Sequence, residues 1–424
     1  MRILVLAGGS AALAAFIALA VTQTPLGSPL FFIIVAVPAV VYALLARTLL
    51  AMNAPASRGL LIVALAFAAA FRVPLQIRAV DSKSDMVRYI YDGRLQRLGY
   101  NPYLVVPADP ALASTHTDET RQMPSIRART PYPAAAQWFF RLVVTIHESS
   151  RTMKLALVAC DMLTIAVLAA WLTSTNRSAW LALLYAWNPL VILEIAHSGH
   201  IDALGALWIA VSAWMLSTGR RTRAVVAFVL AVATKLLPIV LLPLFWKRIR
   251  VRDATAGVCV LALLYLPFAS AGTLPLGAVP NVVDYIRFNG PLFKFVAWLL
   301  APRAAAAIAV LAGLGVAARM RFTTTADDPA AWGWPMAVSL ACAPVVYPWY
   351  LLYCTPFLFA RSCAALIVWT FTALPVYVVW DLARHGHRWF VPAPVQWIEY
   401  GTIVAVLVIQ ITSSARSRLR QRSP

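Results

Sequence analysis

Apolar stretches of nearly twenty residues recur from one end of the chain to the other, and no soluble core has room for all of them. A helix that crosses hydrocarbon needs ~20 mostly apolar residues. Runs of that kind lie at 3–21, 29–50, 59–77, 153–173, 179–195, 203–217, 254–270, 304–318, 331–347, 350–361, 363–380 and 399–413. Composition agrees, because 12% of the 424 residues are charged, about half the share in soluble domains. The expectation is an all-α polytopic membrane protein of about a dozen transmembrane helices, folded as one membrane-embedded domain over 1–424. The opening run, after Met1 and Arg2, looks like a signal peptide, but a second apolar run follows from Pro29. It is read as a retained span.

The net charge of +20 would suit a nucleic-acid binder if it formed a patch. It is instead distributed through short segments between spans: Arg47, Arg58, Arg177, the cluster 220–223, the cluster 247–252, Arg319, Arg321 and the tail from Arg416. Cations in short loops mark the cytoplasmic side. Both termini are therefore expected in the cytoplasm, and nucleic acid is set aside. The five cysteines show no paired or Cys/His spacing and read as small apolar residues.

Residues 224–246 are long enough for one crossing, yet basic clusters flank both ends and Lys235 and Pro238 sit in the middle. A single crossing would place one cluster outside. Two half-helices in a re-entrant hairpin, with Lys235 near the tip, satisfy both clusters. Broken backbone at that depth must line protein or a wet cavity.

The longest hydrophilic segment, 78–152, falls on the outer side as a long first external loop. Within it Asp81, Asp85 and Asp92 alternate with Arg88, Arg94 and Arg97. On a helix, Asp85, Arg88, Tyr89 and Asp92 would share a face. A carboxylate beside cations suits a base that works on a hydroxyl while arginines hold a phosphate. Glu194, His197, His200 and Asp202 cluster at an outer helix end, where ionisable groups are costly and mark function. Arg287 and Asn289 in YIRFNGPLF, and Trp349 in YPWY, fall at other outer ends.

The run from Asp85 to Arg94, DMVRYIYDGR, with GYNPY at 99–103, resembles the first-loop motif of bacterial GT-C glycosyltransferases. These are the polyprenyl-phosphate-mannose-dependent mannosyltransferase-like proteins. The likeness continues in Tyr132-Pro133 with Gln137, in Trp187-Asn188-Pro189, in Gly199-His200 with Asp202, in Lys235 with Pro238, and in Pro348-Trp349-Tyr350. Departures are Ser84 where the family carries the first acid of a pair, Tyr91 for Trp, Ala134 for Pro and Ile201 for Asn.

The resemblance implies transfer of a sugar, mannose first, from a polyprenyl-phosphate donor to an acceptor hydroxyl on a glycolipid, polysaccharide or protein, at the outer face of the bacterial cytoplasmic membrane. Such enzymes usually invert in one displacement. Asp85 is the expected base. Arg88, Lys235, His200 and Arg287 are expected at the donor phosphate, and Asp81, Tyr89, Asp92, Tyr132, Gln137, His197, Asp202, Asn289 and Trp349 around the pocket. No cofactor or metal is required if these cations neutralise the phosphate, although Asp81 and Asp85 could share a divalent cation. The competing readings are a transporter or flippase for a lipid-linked or anionic substrate, which Lys235 in a hairpin would suit, and a non-catalytic export partner.

Overall fold

The computed structural model describes residues 1–51, 57–81, 83–270, 275 and 277–420. Helices account for nearly all regular structure among them, and the pairing of Phe288 with Val345 is an isolated parallel bridge. Among the described residues, eight helices are long and apolar enough to cross a membrane: Leu4–Val21, Pro29–Ala51, Arg58–Ile77, Ser150–Ser174, Val251–Phe268, Pro302–Thr323, Arg361–Arg384 and Ala393–Ser413. A ninth forms if Ala179–Ala186 and Pro189–His197, bent by 57°, count as one broken span. The protein is an all-α, multi-pass membrane protein.

The expected dozen exceeds this number for a physical reason. The apolar run at 203–217 is the helix Asp202–Ser217, only 16 residues long and almost entirely buried among its neighbours. A helix apolar on all sides belongs in a protein interior as readily as in lipid. The run at 331–347 yields the 13-residue helix Pro329–Ala341. At 350–361 the backbone tightens into short 3-10 turns, Pro348–Tyr353 and Thr355–Phe357, each with a proline that lacks an amide donor in its first two positions.

Residues 221–246 break where Lys235 and Pro238 sit. Helix Arg221–Val232 stops, residues 233–236 are non-helical, and a 3-10 run Leu237–Phe245 follows. Thr222 at the start of this segment donates to the Asp253 carboxylate at 2.5 Å, just beyond its end. Arg321 donates to the Trp246 carbonyl at 2.6 Å. The segment thus begins and finishes side by side. Lys235, at the break, reaches Asp202 at 2.6 Å.

Charge inside the bundle is paired. Arg72, in span Arg58–Ile77, meets Asp161, in span Ser150–Ser174, through Nε at 2.7 Å and Nη2 at 3.2 Å. Its Nη1 donates to the carbonyls of Ala68 and Ala186, each at 2.7 Å. Lys154 ends on the Leu75 carbonyl at 2.7 Å. One cation thereby joins three elements and leaves no charge facing hydrocarbon. Asp161→Leu should lower the thermal stability of the detergent-solubilised protein by about 3–5 kcal/mol, the range for orphaning one member of a buried pair. Adding Arg72→Met should recover most of the loss. Equal melting of wild type and the single variant would show that the pair does not hold the bundle.

Candidate active site

The first external loop is organised by helix Asp85–Arg97. Ser84 caps it by accepting from the Met86 amide at 3.3 Å, which leaves Asp85 in the first turn where the helix dipole favours a negative group. The helix lies tightly on Ala134–Ile146. A side chain at Gly93 would place Cβ 2.7 Å from the Phe140 carbonyl. Tyr89 stacks on Phe140 at 4.6 Å and meets Tyr132 edge-on at 5.0 Å. The Tyr89 oxygen accepts from the Ile201 amide at 3.4 Å, tying the loop to the segment that carries His200 and Asp202.

That second segment turns sharply. Leu193–His197 is a single π-helical turn, and Gly199 takes φ +74°, which only glycine adopts freely. A Cβ there would lie 2.0 Å from Met86 Cε. The turn delivers Asp202 to the Lys235 ammonium, which also sits 3.8 Å above the Tyr350 ring. Lys235 keeps 24% of its side chain accessible, whereas Asp202 is sealed behind it.

Asp85 faces this pair. Burial pushes its carboxyl above the usual aspartate value; Lys235 pulls it down, Asp202 pushes it up, and Tyr132 and Arg88 pull it down. Desolvation outweighs the attractions, so a base of raised affinity for protons stands across from an ammonium.

A wall of rings closes the site. His200 stacks on Trp349 at 4.1 Å, Trp349 on Tyr347 at 4.3 Å, and Tyr347 on Phe288 at 4.3 Å. His200 Nε2 lies 3.3 Å from Glu194, which accepts from the Tyr377 hydroxyl. Tyr350 and Tyr347 thus join a cluster for which the sequence singled out Trp349, His200 and Glu194. The YPWY run carried that signal for the tyrosines, since alternate aromatic rings at a helix end read equally well as membrane-belt residues.

Other expected site residues lie elsewhere. Arg88 donates to Asp92 at 2.8 Å and to the carbonyls of Ser125 and Ala128, each at 3.1 Å. Gln137 donates to Asp92 at 3.0 Å and to Thr130 at 2.8 Å. This buried lattice lies behind the first turn of the helix and ties the loop together. Asp81 is exposed and accepts from the Lys83 amide at 2.9 Å. His197 shares a hydrogen bond with Ser198 at 3.1 Å and has Arg78 and Lys154 as its charged neighbours. Asn289 donates to Glu399 at 2.8 Å and docks its strand-like segment on the last helix. Arg287 turns back to the carbonyls of Ile286 and Asp284. Among the described residues no three His, Cys, Asp or Glu side chains converge as metal ligands.

A carboxyl, an ammonium and a stack of rings thus come together in a helical membrane bundle. The model of the MptA_B family, described as "Alpha-(1->6)-mannopyranosyltransferase, N-terminal domain", matches residues 4–249, more than half of the 424 residues, and the chain belongs to that family. No curated protein and no solved structure matches it. The protein is a glycosyltransferase of a mannosyltransferase family, and it acts with a sugar donor and an acceptor at a lipid bilayer.

Gly199→Ala should cost about 1–2 kcal/mol, the penalty of a left-handed L-residue. Met86→Ala in the same protein would relieve the clash but not that strain, so thermal unfolding should show at most partial recovery. Full recovery would place the whole cost in the Met86 contact.

Proposed function

We propose that the protein transfers a hexose, mannose first, from a polyprenyl-phosphate donor to an acceptor hydroxyl, with inversion and with Asp85 as general base. The observation that supports this reading is the electrostatic influence of the Lys235–Asp202 pair on Asp85, a carboxyl and an ammonium contributed by different segments. In the reaction the acceptor oxygen bonds to the anomeric carbon while its proton passes to Asp85. The bond from that carbon to the phosphate oxygen breaks, and polyprenyl phosphate departs with the electron pair. The leaving phosphate gains charge, and a fixed ammonium stabilises it most where water is excluded. Asp202 orients that ammonium. Arg88 supplies charge to the base, while its hydrogen bonds hold the loop. His200 and Trp349 frame the sugar, and Tyr89 and Tyr132 shape the floor.

The donor's tail lies in the bilayer, so its phosphate rides at headgroup level. The basic clusters at 220–223 and 247–252 favour the cytoplasm. We take 221–246 as re-entrant from that side, with Lys235 projecting toward the outer face. Both termini are then cytoplasmic, the site opens away from the cytoplasm, and the membrane is the bacterial cytoplasmic one.

Asp85→Asn should reduce transfer from radiolabelled polyprenyl-phosphate mannose by about 10²–10⁴-fold, the usual worth of a general base. Donor binding and thermal stability should be retained. Undiminished transfer by this variant would remove Asp85 from the mechanism.

The pH profile carries an independent sign. A carboxyl raised by burial stays protonated to higher pH, and only its deprotonated form accepts the acceptor's proton. The rate kcat/KM should therefore fall on acidification through a limb above the ordinary aspartate value of ~3.9. Lys235 holds Asp85 down, so Lys235→Met should move the limb further upward. A downward movement would mean that the two groups do not face each other during turnover.

A further inference from the structure

Glu399 lies inside the last span, Ala393–Ser413, and is 1% exposed. A carboxyl within a span is costly, and such a residue marks function unless a structural partner accounts for it. Its two oxygens are taken by neutral donors from different parts of the chain, the Trp369 indole at 2.7 Å and the Asn289 amide at 2.8 Å. Two further residues of the same helix reach Asn289. Tyr400 donates its hydroxyl to the Asn289 carbonyl at 2.6 Å, and Gln396 donates to the Asn289 side-chain oxygen at 3.4 Å. The Asn289 backbone has φ +52°, a left-handed conformation that asparagine tolerates better than most residues.

The residue beside this anchor belongs to the ring wall. The Phe288 amide donates to the Pro344 carbonyl at 3.0 Å, and its carbonyl accepts from the Val346 amide at 2.8 Å. Phe288 is thereby clamped beside 344–346, and its buried ring stacks on Tyr347 at 4.3 Å. Gly290, on the other side of Asn289, is pressed against the same segment, where a Cβ would lie 2.5 Å from the Ala343 carbonyl oxygen. From Tyr347 the stack passes to Trp349 and then to His200. Stacked rings tolerate a range of offsets, whereas directional hydrogen bonds fix a place. The last span therefore holds, through one asparagine, the end of the stack that lies farthest from His200.

We propose that Glu399 is a positioning residue for sugar transfer: through Asn289 it fixes Phe288 and Tyr347, and so sets the place of Trp349 and His200. The part played in transfer rests on the reading above, in which His200 and Trp349 frame the sugar; the hold on the rings does not. Hexoses that differ in the direction of one hydroxyl are told apart by small displacements of the groups around them, and displacements of that size begin far from the reacting atoms. Loss of the Glu399 contact should therefore act on discrimination between donor sugars more than on stability.

The test uses the full chain in detergent. Asn289→Gly deletes the side-chain contacts and suits the left-handed backbone. Asn289→Asp sets two carboxyls against each other. Asn289→Asp combined with Glu399→Gln restores the pairing with donor and acceptor exchanged, since the new amide donates to the new carboxylate and still accepts from Trp369. Near-ultraviolet circular dichroism, which reads fixed aromatic stacking, should weaken in both single variants and return in the combined one. The ratio of kcat/KM for polyprenyl-phosphate mannose to that for polyprenyl-phosphate glucose should fall about tenfold in both single variants and recover in the combined one. Dichroism or ratio unchanged in both single variants, failure of the combined variant to recover, or an equal loss for both sugars overturns the proposal. If the dichroism falls and recovers but the wild type transfers neither sugar, the hold on the rings stands and the transfer reading fails.

Discussion

The Lys235–Asp202 pair at 2.6 Å is the contact on which the site's geometry depends. Hydrocarbon offers no hydrogen-bonding partner, so a spanning segment cannot stop being helical without a local substitute for solvent. Segment 221–246 stops at 233–236, and the ammonium released there is met by a carboxylate in the first turn of the neighbouring helix Asp202–Ser217. That meeting fixes how far the break reaches toward the loop. It also sets where a cation stands relative to Asp85. The Tyr350 ring beneath Lys235 holds it from the other side at 3.8 Å, so its position is determined from three parts of the chain.

The loop above is rigid for a different reason. Arg88, Asp92, Gln137, Gln96 and Thr130 bind one another in a buried lattice of charged and amide groups. Such a lattice is stable only when nearly complete. Its function is to hold helix Asp85–Arg97 against Ala134–Ile146, so that the helix's first turn presents Asp85 with little freedom. The residues that look most like catalytic equipment in the sequence, a run of alternating acids and arginines, are therefore divided by depth. Asp85 leads the helix, Arg88 and Asp92 are buried behind it, and Asp81 stays exposed.

The fold class was legible because hydropathy period and length are properties of single segments. Lys235 and Pro238 in mid-run marked the break at 233–236, since both oppose a continuous apolar helix. That Asp85 leads a helix was legible from the spacing of the charged residues after it. The roles of Arg88 and Gln137 could not be read in full, because Arg88 also donates to carbonyls 37 and 40 residues on and Gln137 to Asp92, 45 residues back. Asn289 misled for the same reason: a polar residue at an outer helix end looks available, and only folding shows it committed to Glu399, 110 residues on. Short spans were overcounted because a buried helix and a lipid-facing one share a composition; Asp202–Ser217 differs only in what surrounds it.

The aromatic wall has a consequence for how the chain can be divided. His200 belongs to the segment matched by the family model, which ends at residue 249, while Trp349, Tyr347 and Phe288 come from beyond it. The stack therefore crosses the boundary ring by ring, and Tyr377 reaches back to Glu194 in the same direction. An amino-terminal half alone would carry Asp85 and Lys235 but only His200 of the ring stack. Sequence drift in either half is constrained by the other, so exchange of halves between relatives would succeed only where the ring faces still match.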